Sequence, residues 1–342
     1  MVIQCVAELY LHVSTIWREN EYIWRETLSN WTVNDIPDQR GRIVLITGAN
    51  SGLGVETAKA LAAHGAHVIM ACRSLERGEK ARDAILKEIP KASIALLQLD
   101  LASLASVREF ASRVRQDYKR LDLLFNNAGV MAIPRAETLD GFEMQFGTNH
   151  LGHFALTGLL LPLLLITPGS RVVSTSSVAR RMGGIRFDDL QGQNSYARWS
   201  AYGQSKTSNL LFAFELQTRL AASGAETISA AAHPGYANTN LQATSATLSN
   251  SSMESFFYRF NNVLGQSAAM GALPQLYAAL SPDVHGGELV GPRSLFGLRG
   301  YPQIEVNAKR EYNHAAAERL WQVSTELTGV DYAGLQSAPE QV

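Results

Sequence analysis

Tyr202 and Lys206 stand four residues apart in "AYGQSKTSNLL" (201–211), just before an apolar helical run. About one helical turn separates them, so the phenol and the ammonium share a face. A phenol ionises at about pH 10 in water and is a poor base at neutral pH. A neighbouring ammonium favours the phenolate, which makes the pair a candidate acid–base centre. The lysine also needs an acceptor to hold, and the ribose hydroxyls of a nicotinamide nucleotide would serve. The alternative is a solvated helix face, which is what most Tyr-x3-Lys pairs are.

Other polar residues bear on that choice. Ser176 and Ser177 close the strand pattern "RVVSTSS" (171–177), where a hydroxyl can hydrogen-bond a substrate carbonyl and steady charge developing on its oxygen. Asn149, in "FGTNHLGHF" (146–154), interrupts a long apolar helix pattern. Such an amide is either satisfied in the core or employed where a bent helix holds a water. "TGANSGLG" (47–54) sets Gly48, Gly52 and Gly54 between a strand and a helix. Glycines there let the backbone approach a pyrophosphate at the positive end of the helix. A plain strand–helix turn would also use them.

Arg73, in "MACRS", ends the second strand pattern. A carboxylate at that place accepts from the ribose 2′-hydroxyl of NAD, whereas an Arg suits a 2′-phosphate through bidentate hydrogen bonds. The expected cofactor is therefore NADP(H), with NAD(H) remaining an option. An exposed strand-end Arg is the alternative reading of this residue.

Elements must position these groups. Short aliphatic runs, "RIVLITG" (42–48), "HVIMAC" (67–72), "SIALLQLD" (93–100), "LDLLFNNAG" (121–129), "RVVSTSS" and "TISAAAHPG" (227–235), alternate with helical patterns such as "VETAKALAAHG" (55–65) and "LERGEKARDAILKEI" (75–89). Continuous apolar strands separated by helices predict an α/β domain with a parallel sheet covered on both faces. The domain is expected over 40–335, after an N-terminal extension (1–39) holding Trp17, Trp24 and Trp31. The extension either packs loosely on the domain or docks on a partner or membrane surface, and is too polar for an anchor. "IPDQRG" (36–41) reads as a linker and turn, and "ATSATLSNSS" (243–252) as a mobile loop.

With 30 basic against 31 acidic residues, no basic block argues for nucleic acid as a partner. Two distant cysteines, Cys5 and Cys72, form no metal pattern and suggest a reducing compartment. The apolar run from Ala155 to Ile166 is too short to span a bilayer, and the N-terminus lacks a basic signal-peptide region. The cytoplasm is the expected location.

In chain order, "TGANSGLG", "NNAG" (126–129), Asn149, the Ser pair, "YGQSK" and "HPGYANT" (233–239) resemble the short-chain dehydrogenase/reductase family over about residues 40–330. "ANSGLG", "ACRS", "HPG" and the long interval from Ser177 to Tyr202 look most like its retinol-dehydrogenase-like branch, which includes protochlorophyllide reductase relatives. The resemblance implies a Rossmann-type, doubly wound parallel sheet of order 3-2-1-4-5-6-7 with helices on both sides. It implies Tyr202 as acid/base and Lys206 as the group that lowers its pKa and binds the nicotinamide ribose. Ser177 would orient the substrate oxygen, and Asn149 would hold a water linking Lys206 to solvent. Gly48, Ser51, Gly52, Leu53 and Gly54 would meet the diphosphate or ribose. Asp100 would meet the adenine, with Asn127, Ala128 and Gly129 along the adenosine ribose. Pro234, Gly235 and Thr239 would lie along the nicotinamide and its phosphate.

The implied activity is hydride transfer between a nicotinamide and a small alcohol or carbonyl substrate, expected to be apolar. The rival is a catalytically silent nucleotide-binding regulatory or scaffold protein, against which the complete Asn/Ser/Tyr/Lys set argues. Many members pair through the helices carrying Asn149 and Tyr202, so an oligomer stays open. Residues 240–265, with "FFYRF" (256–260), read equally as an aromatic lid or an ordinary amphipathic helix. Arg180, Arg181 and Arg186 either attract an acidic substrate or lie in a solvated loop. Retinoid chemistry is not carried over, because the extension is no anchor.

Overall fold

The computed structural model describes residues 30–237, 265–308 and 312–335. The aliphatic runs too short for helices form strands, and the longer patterns between them form helices. In chain order these are β1 (Ile43–Thr47), α1 (Gly52–Ala63), β2 (His67–Cys72), α2 (Leu75–Glu88), β3 (Ser93–Gln98), α3 (Leu104–Asp117) and β4 (Leu123–Asn126). A π-helical turn (Gly147–Leu151) leads into α4 (Gly152–Leu165), followed by β5 (Arg171–Thr175), α5 (Arg198–Ala222), β6 (Ile228–Ala232) and α6 (Ala268–Leu280). β7 (Leu289–Ser294), β8 (Arg299–Ile304) and α7 (His314–Thr328) follow, and short helical turns lie at Val33–Asp35, Met144–Phe146, Val178–Met182 and Ala333–Leu335.

The sheet order is β3-β2-β1-β4-β5-β6-β7-β8. β1 through β7 run parallel, as the expected seven-strand order requires. β8 is an addition, pairing antiparallel with β7 at the edge. "RGYPQI" has no alternation to betray a strand, and Pro302 cannot donate to a ladder; an edge tolerates both.

Side-chain alternation sends Leu45 to one face of the sheet and Val44 and Ile46 to the other. The first face packs on Phe154, Phe212 and Trp321, the second on Leu61 and Leu276. Burial on both faces is why the strands are apolar throughout. The Ala155–Ile166 run lies almost wholly in buried α4, and no helix among the described residues is long and apolar enough to cross a membrane.

Trp31 packs edge-on against Tyr277 with centroids 5.5 Å apart, and Ile36 and Gln39 are buried. The "IPDQRG" stretch is thus packed onto the sheet domain and is not a free linker. Cys5, Trp17, Trp24, Thr239, the 243–252 stretch and "FFYRF" lie outside the described residues.

β1 and β4 are neighbours although separated in sequence, so the connections leave in opposite directions at their carboxyl ends. Open α/β sheets bind ligands at such a switch point. The loops after β1, β4, β5 and β6 carry most of the predicted site residues.

Candidate active site

After β1 the chain turns at Gly48, whose φ of +67° favours glycine. Its N–H donates to the Ala71 carbonyl at 2.8 Å. Ser51 caps α1 by position only, since its side chain makes no cap bond and the first turn has no acidic residue. The N–H groups of that first turn therefore form a positive end that no side chain of the cap or of the turn itself meets. A Cβ on Gly54 would strike the Gly48 carbonyl oxygen and lie 2.8 Å from Asn127 Nδ2. Leu53 is buried beneath the turn.

Asn127 and Ala128 are fixed from β1: their N–H groups donate to Thr47 Oγ1 at 2.9 and 3.0 Å, and Asn127 Nδ2 donates to the Thr47 carbonyl at 2.8 Å. Asn127 Oδ1 is then buried with no hydrogen-bond partner. An orphan acceptor beside an uncapped helix start and a glycine-walled turn fits a dinucleotide, whose ribose hydroxyls donate and whose diphosphate accepts. Gly54→Ala should weaken binding of a nicotinamide dinucleotide by about 10- to 100-fold, because a strain of about 1–3 kcal/mol falls on the cradle. Fluorescence titration measures it, and an unchanged Kd would remove the nucleotide from this turn.

Asp100 spends Oδ1 on the Ala102 N–H at 3.0 Å, closing the turn after β3. Arg73 is exposed at the end of β2, its carbonyl accepting from Gln98 Nε2 at 3.3 Å.

Tyr202, Ser205, Lys206 and Asn209 lie at i, i+3, i+4 and i+7, forming one polar stripe on buried α5. Extended backbone sends the two serines to opposite sides. Ser176 Oγ donates to the Lys206 carbonyl at 2.8 Å and clamps α5 to the sheet. Ser177 accepts from the Ala179 N–H at 3.1 Å and lies beside the Tyr202 phenol. Lys206 Nζ donates to the Thr175 carbonyl at 3.0 Å, as does Asn209 Nδ2, also at 3.0 Å.

Burial pushes the Tyr202 phenol up to about 12, with the Ser177 hydroxyl opposing it. Burial also pushes the Lys206 ammonium down to about 8. Burial therefore sets the direction for the phenol, opposite to the lowering by Lys206 that the sequence led one to expect. Nζ lies 5.7 Å from the Tyr202 ring centroid and is aimed at Thr175, while desolvation penalises both charged forms.

Asn149 sits in the π-helical turn. Its side chain is satisfied three ways: Oδ1 accepts from the Val130 N–H at 2.7 Å, and Nδ2 lies 2.9 Å from both the Val130 carbonyl and Ser205 Oγ. It is a core amide that ties the Gly129–Val130 turn to α5. A Cβ on Gly129 would sit 2.9 Å from Asn149 Oδ1 and 3.5 Å from Lys206 Nζ, so this glycine keeps the centre open.

Several supporting residues were missed in the sequence. His153 bridges the Asn149 carbonyl and Thr47 Oγ1, each at 2.9 Å, and its spacing of four from Asn149 was the available signal. The Thr175 carbonyl anchors Lys206 and also accepts from Asn209. Pro234 accepts from Gln266 Nε2 through its carbonyl at 2.7 Å, and Gly235 turns with φ +64°. Arg180 is neither a substrate-facing cation nor a solvated one: it is buried and paired with Glu305 at 3.0 Å. Arg186 pairs with Asp189 at 2.7 Å, and Arg181 is exposed.

The family model for short chain dehydrogenase matches residues 42–249. Mouse retinol dehydrogenase 12 is 41% identical over 292 residues, covering 85% of this chain and 88% of its own. A crystal structure of a putative uncharacterized protein from Mycobacterium paratuberculosis is 42% identical, covers 89% of this chain and 99% of its own, and superposes with a TM-score of 0.72. An Escherichia coli CFT073 putative short chain dehydrogenase complexed with NADPH is 25% identical, covers 74% and 96%, and has a TM-score of 0.57. Fold, motif order and relatives agree: the chain belongs to the short-chain dehydrogenase family, in its retinol-dehydrogenase-like branch, and is an oxidoreductase acting on alcohol or carbonyl groups.

Proposed function

We propose that the protein is an NADP(H)-dependent carbonyl reductase for small apolar aldehydes or ketones, working through Tyr202, Lys206, Ser177 and Asn149. The observation that carries this reading is the buried Tyr202 phenol, set beside Ser177 and one turn from Lys206. A bound nicotinamide nucleotide supplies or accepts the hydride. Tyr202 holds its proton at the phenol oxygen, ready for an alkoxide forming beside it. Ser177 orients the carbonyl oxygen, and Lys206, cationic below about pH 8, adds positive potential. Both buried groups hold their protons at neutral pH, as the proton-donating half of carbonyl reduction requires. Asn149 keeps Val130 and α5 in register around them. Any Asn149-held water belongs to the same proposal.

Arg73 supports the NADP(H) choice, because it is exposed where a 2′-phosphate would lie. Arg73→Asp should weaken NADPH by about 10- to 100-fold, from the loss of a bidentate charged contact, and leave NADH nearly unchanged or improved. Equal losses for the two would end the assignment. Residues 40–335 are taken as the catalytic unit. The buried free Cys72, its thiol pushed up to about 12 by burial, accords with the reducing cytoplasm proposed as its location.

The decisive test follows nicotinamide absorbance with NADPH or NADH and a panel of aliphatic aldehydes, aromatic ketones and retinal, comparing wild type with Tyr202→Phe. Retinal enters because relatives are named retinol dehydrogenases. Cofactor binding without Tyr202-dependent turnover on the whole panel would favour the scaffold reading.

A further inference from the structure

Glu305, just beyond β8, reaches two predicted ends of the site at once. Its Oε1 accepts from His233 Nε2 at 2.5 Å, and its Oε2 pairs with Arg180 at 3.0 Å and with Arg181 at 3.9 Å. The His233 side chain is fully buried, that of Arg180 is 2% exposed, and that of Glu305 is 14% exposed.

Each partner leads to a site element. The Gly235 N–H donates to His233 Nδ1 at 3.2 Å, so Nδ1 carries a lone pair and the imidazole proton sits on Nε2. A carboxylate on Nε2 selects that tautomer, which in turn holds the Pro234–Gly235 turn. Arg180 Nη1 donates to the Ser177 carbonyl at 3.3 Å. Thr207, one residue past Lys206, lies with Oγ1 2.9 Å from the Arg180 and Gly183 carbonyls and 3.0 Å from the Gly203 carbonyl, and its single proton serves one of the three. A Cβ on Gly203 would lie 2.8 Å from the Ala179 carbonyl, so the turn after Ser177 is pressed onto α5 beside Tyr202.

The chain makes room for this carboxylate. A Cβ on Gly291 of β7 would strike His233 Nε2 and lie 2.6 Å from Glu305 Oε1. A Cβ on Gly297 would lie 3.2 Å from the same oxygen. The antiparallel strand absent from the sequence expectation is what brings Glu305 here.

We infer that Glu305 is a positioning residue for the reaction: through Arg180 it sets the Ser177 turn, and through the His233 tautomer it sets the Pro234–Gly235 turn. The inference rests on the proposed function for what those turns do. Its geometry stands independently.

Three variants test it: Glu305→Gln, Gly291→Ala, which wedges His233 from Glu305 without removing a charge, and the double Arg180→Gln/Glu305→Gln. Each is assayed for kcat and KM with NADPH and the aldehyde panel, for NADPH Kd by fluorescence, for Tm, and for amide exchange at Gly235 and residues 178–182. Glu305→Gln and Gly291→Ala should each lower kcat by about 10- to 100-fold, the range that a displacement of about 1 Å produces. Faster amide exchange at Gly235 should accompany the loss. The double variant should recover Tm, because no buried guanidinium loses its carboxylate, yet keep the low kcat. A purely structural role predicts that kcat returns with Tm, and that result would overturn the inference. So would unchanged exchange at Gly235 in Gly291→Ala, whatever the turnover. Absence of Tyr202-dependent turnover in the wild type would strike the proposed function instead, leaving the exchange result to decide on Glu305.

Discussion

Tyr202→Phe should lower kcat for carbonyl reduction by about 10³-fold, within the range typical of a lost general acid. The substitution removes one oxygen from a side chain that is 7% exposed and keeps the ring, which packs edge-on against Trp199 with centroids 6.1 Å apart. Ser177 keeps the Ala179 N–H as a partner, so its turn stays formed. Stability should therefore change by no more than about 1 kcal/mol, the net worth of one hydrogen bond. NADPH affinity should also hold. The signature is an intact Tm and Kd with a collapsed kcat. A variant retaining a tenth or more of wild-type kcat would show that Tyr202 is not the proton donor.

Lys206→Met should abolish most turnover and, at neutral pH, stabilise the protein. Burial lowers the ammonium from 10.5 to about 8, so at neutral pH the folded state carries a charge it disfavours. That difference corresponds to roughly 3 kcal/mol, an upper figure since a methionine must still fit the lysine's path. The Thr175 carbonyl keeps Asn209 Nδ2 as a donor, so no backbone oxygen is orphaned by the change. Below about pH 8 both folded and unfolded forms hold the proton, and the full cost of burial applies. Between about 8 and 10.5 the unfolded chain binds more protons, so wild-type stability rises with pH through that window. Tyr202 acts oppositely between 10.0 and about 12, where the folded state keeps a proton that the unfolded chain releases. Denaturant titrations at pH 7 and 9.5 should show Lys206→Met more stable than wild type at the lower pH and the gap shrinking at the higher. A gap that widens with pH would mean that the ammonium is not held at a cost. A stabilised, inactive variant is the pattern expected where a site stores an unfavourable charge for function.

Cofactor and chemistry were legible at different depths in the chain. The glycine turn announced itself because backbone approach leaves no alternative residue type. Gly54 has three backbone or side-chain neighbours where a Cβ would be. Ser177 was singled out over Ser176 by family resemblance, and extended backbone gives the physical reason, since adjacent residues face opposite ways. Asn149 was legible as an anomaly. Its three partners come from the Val130 turn and α5, and no local rule indicated them.

By itself the sequence determined the parallel α/β sheet and the Tyr202–Lys206 face, and its resemblance to the family implied the strand order through the seventh strand. The sheet and the face rest on local periodicity or on motifs whose residue types the backbone dictates. Only the tertiary structure decided that the phenol is held up and the ammonium down, because desolvation depends on what the whole fold packs around a group. It alone turned Arg180 from a loop cation into half of a buried pair. That pair needs Glu305, carried just beyond an antiparallel edge strand with a proline and no alternation, a long-range contact that no spacing in the chain encodes.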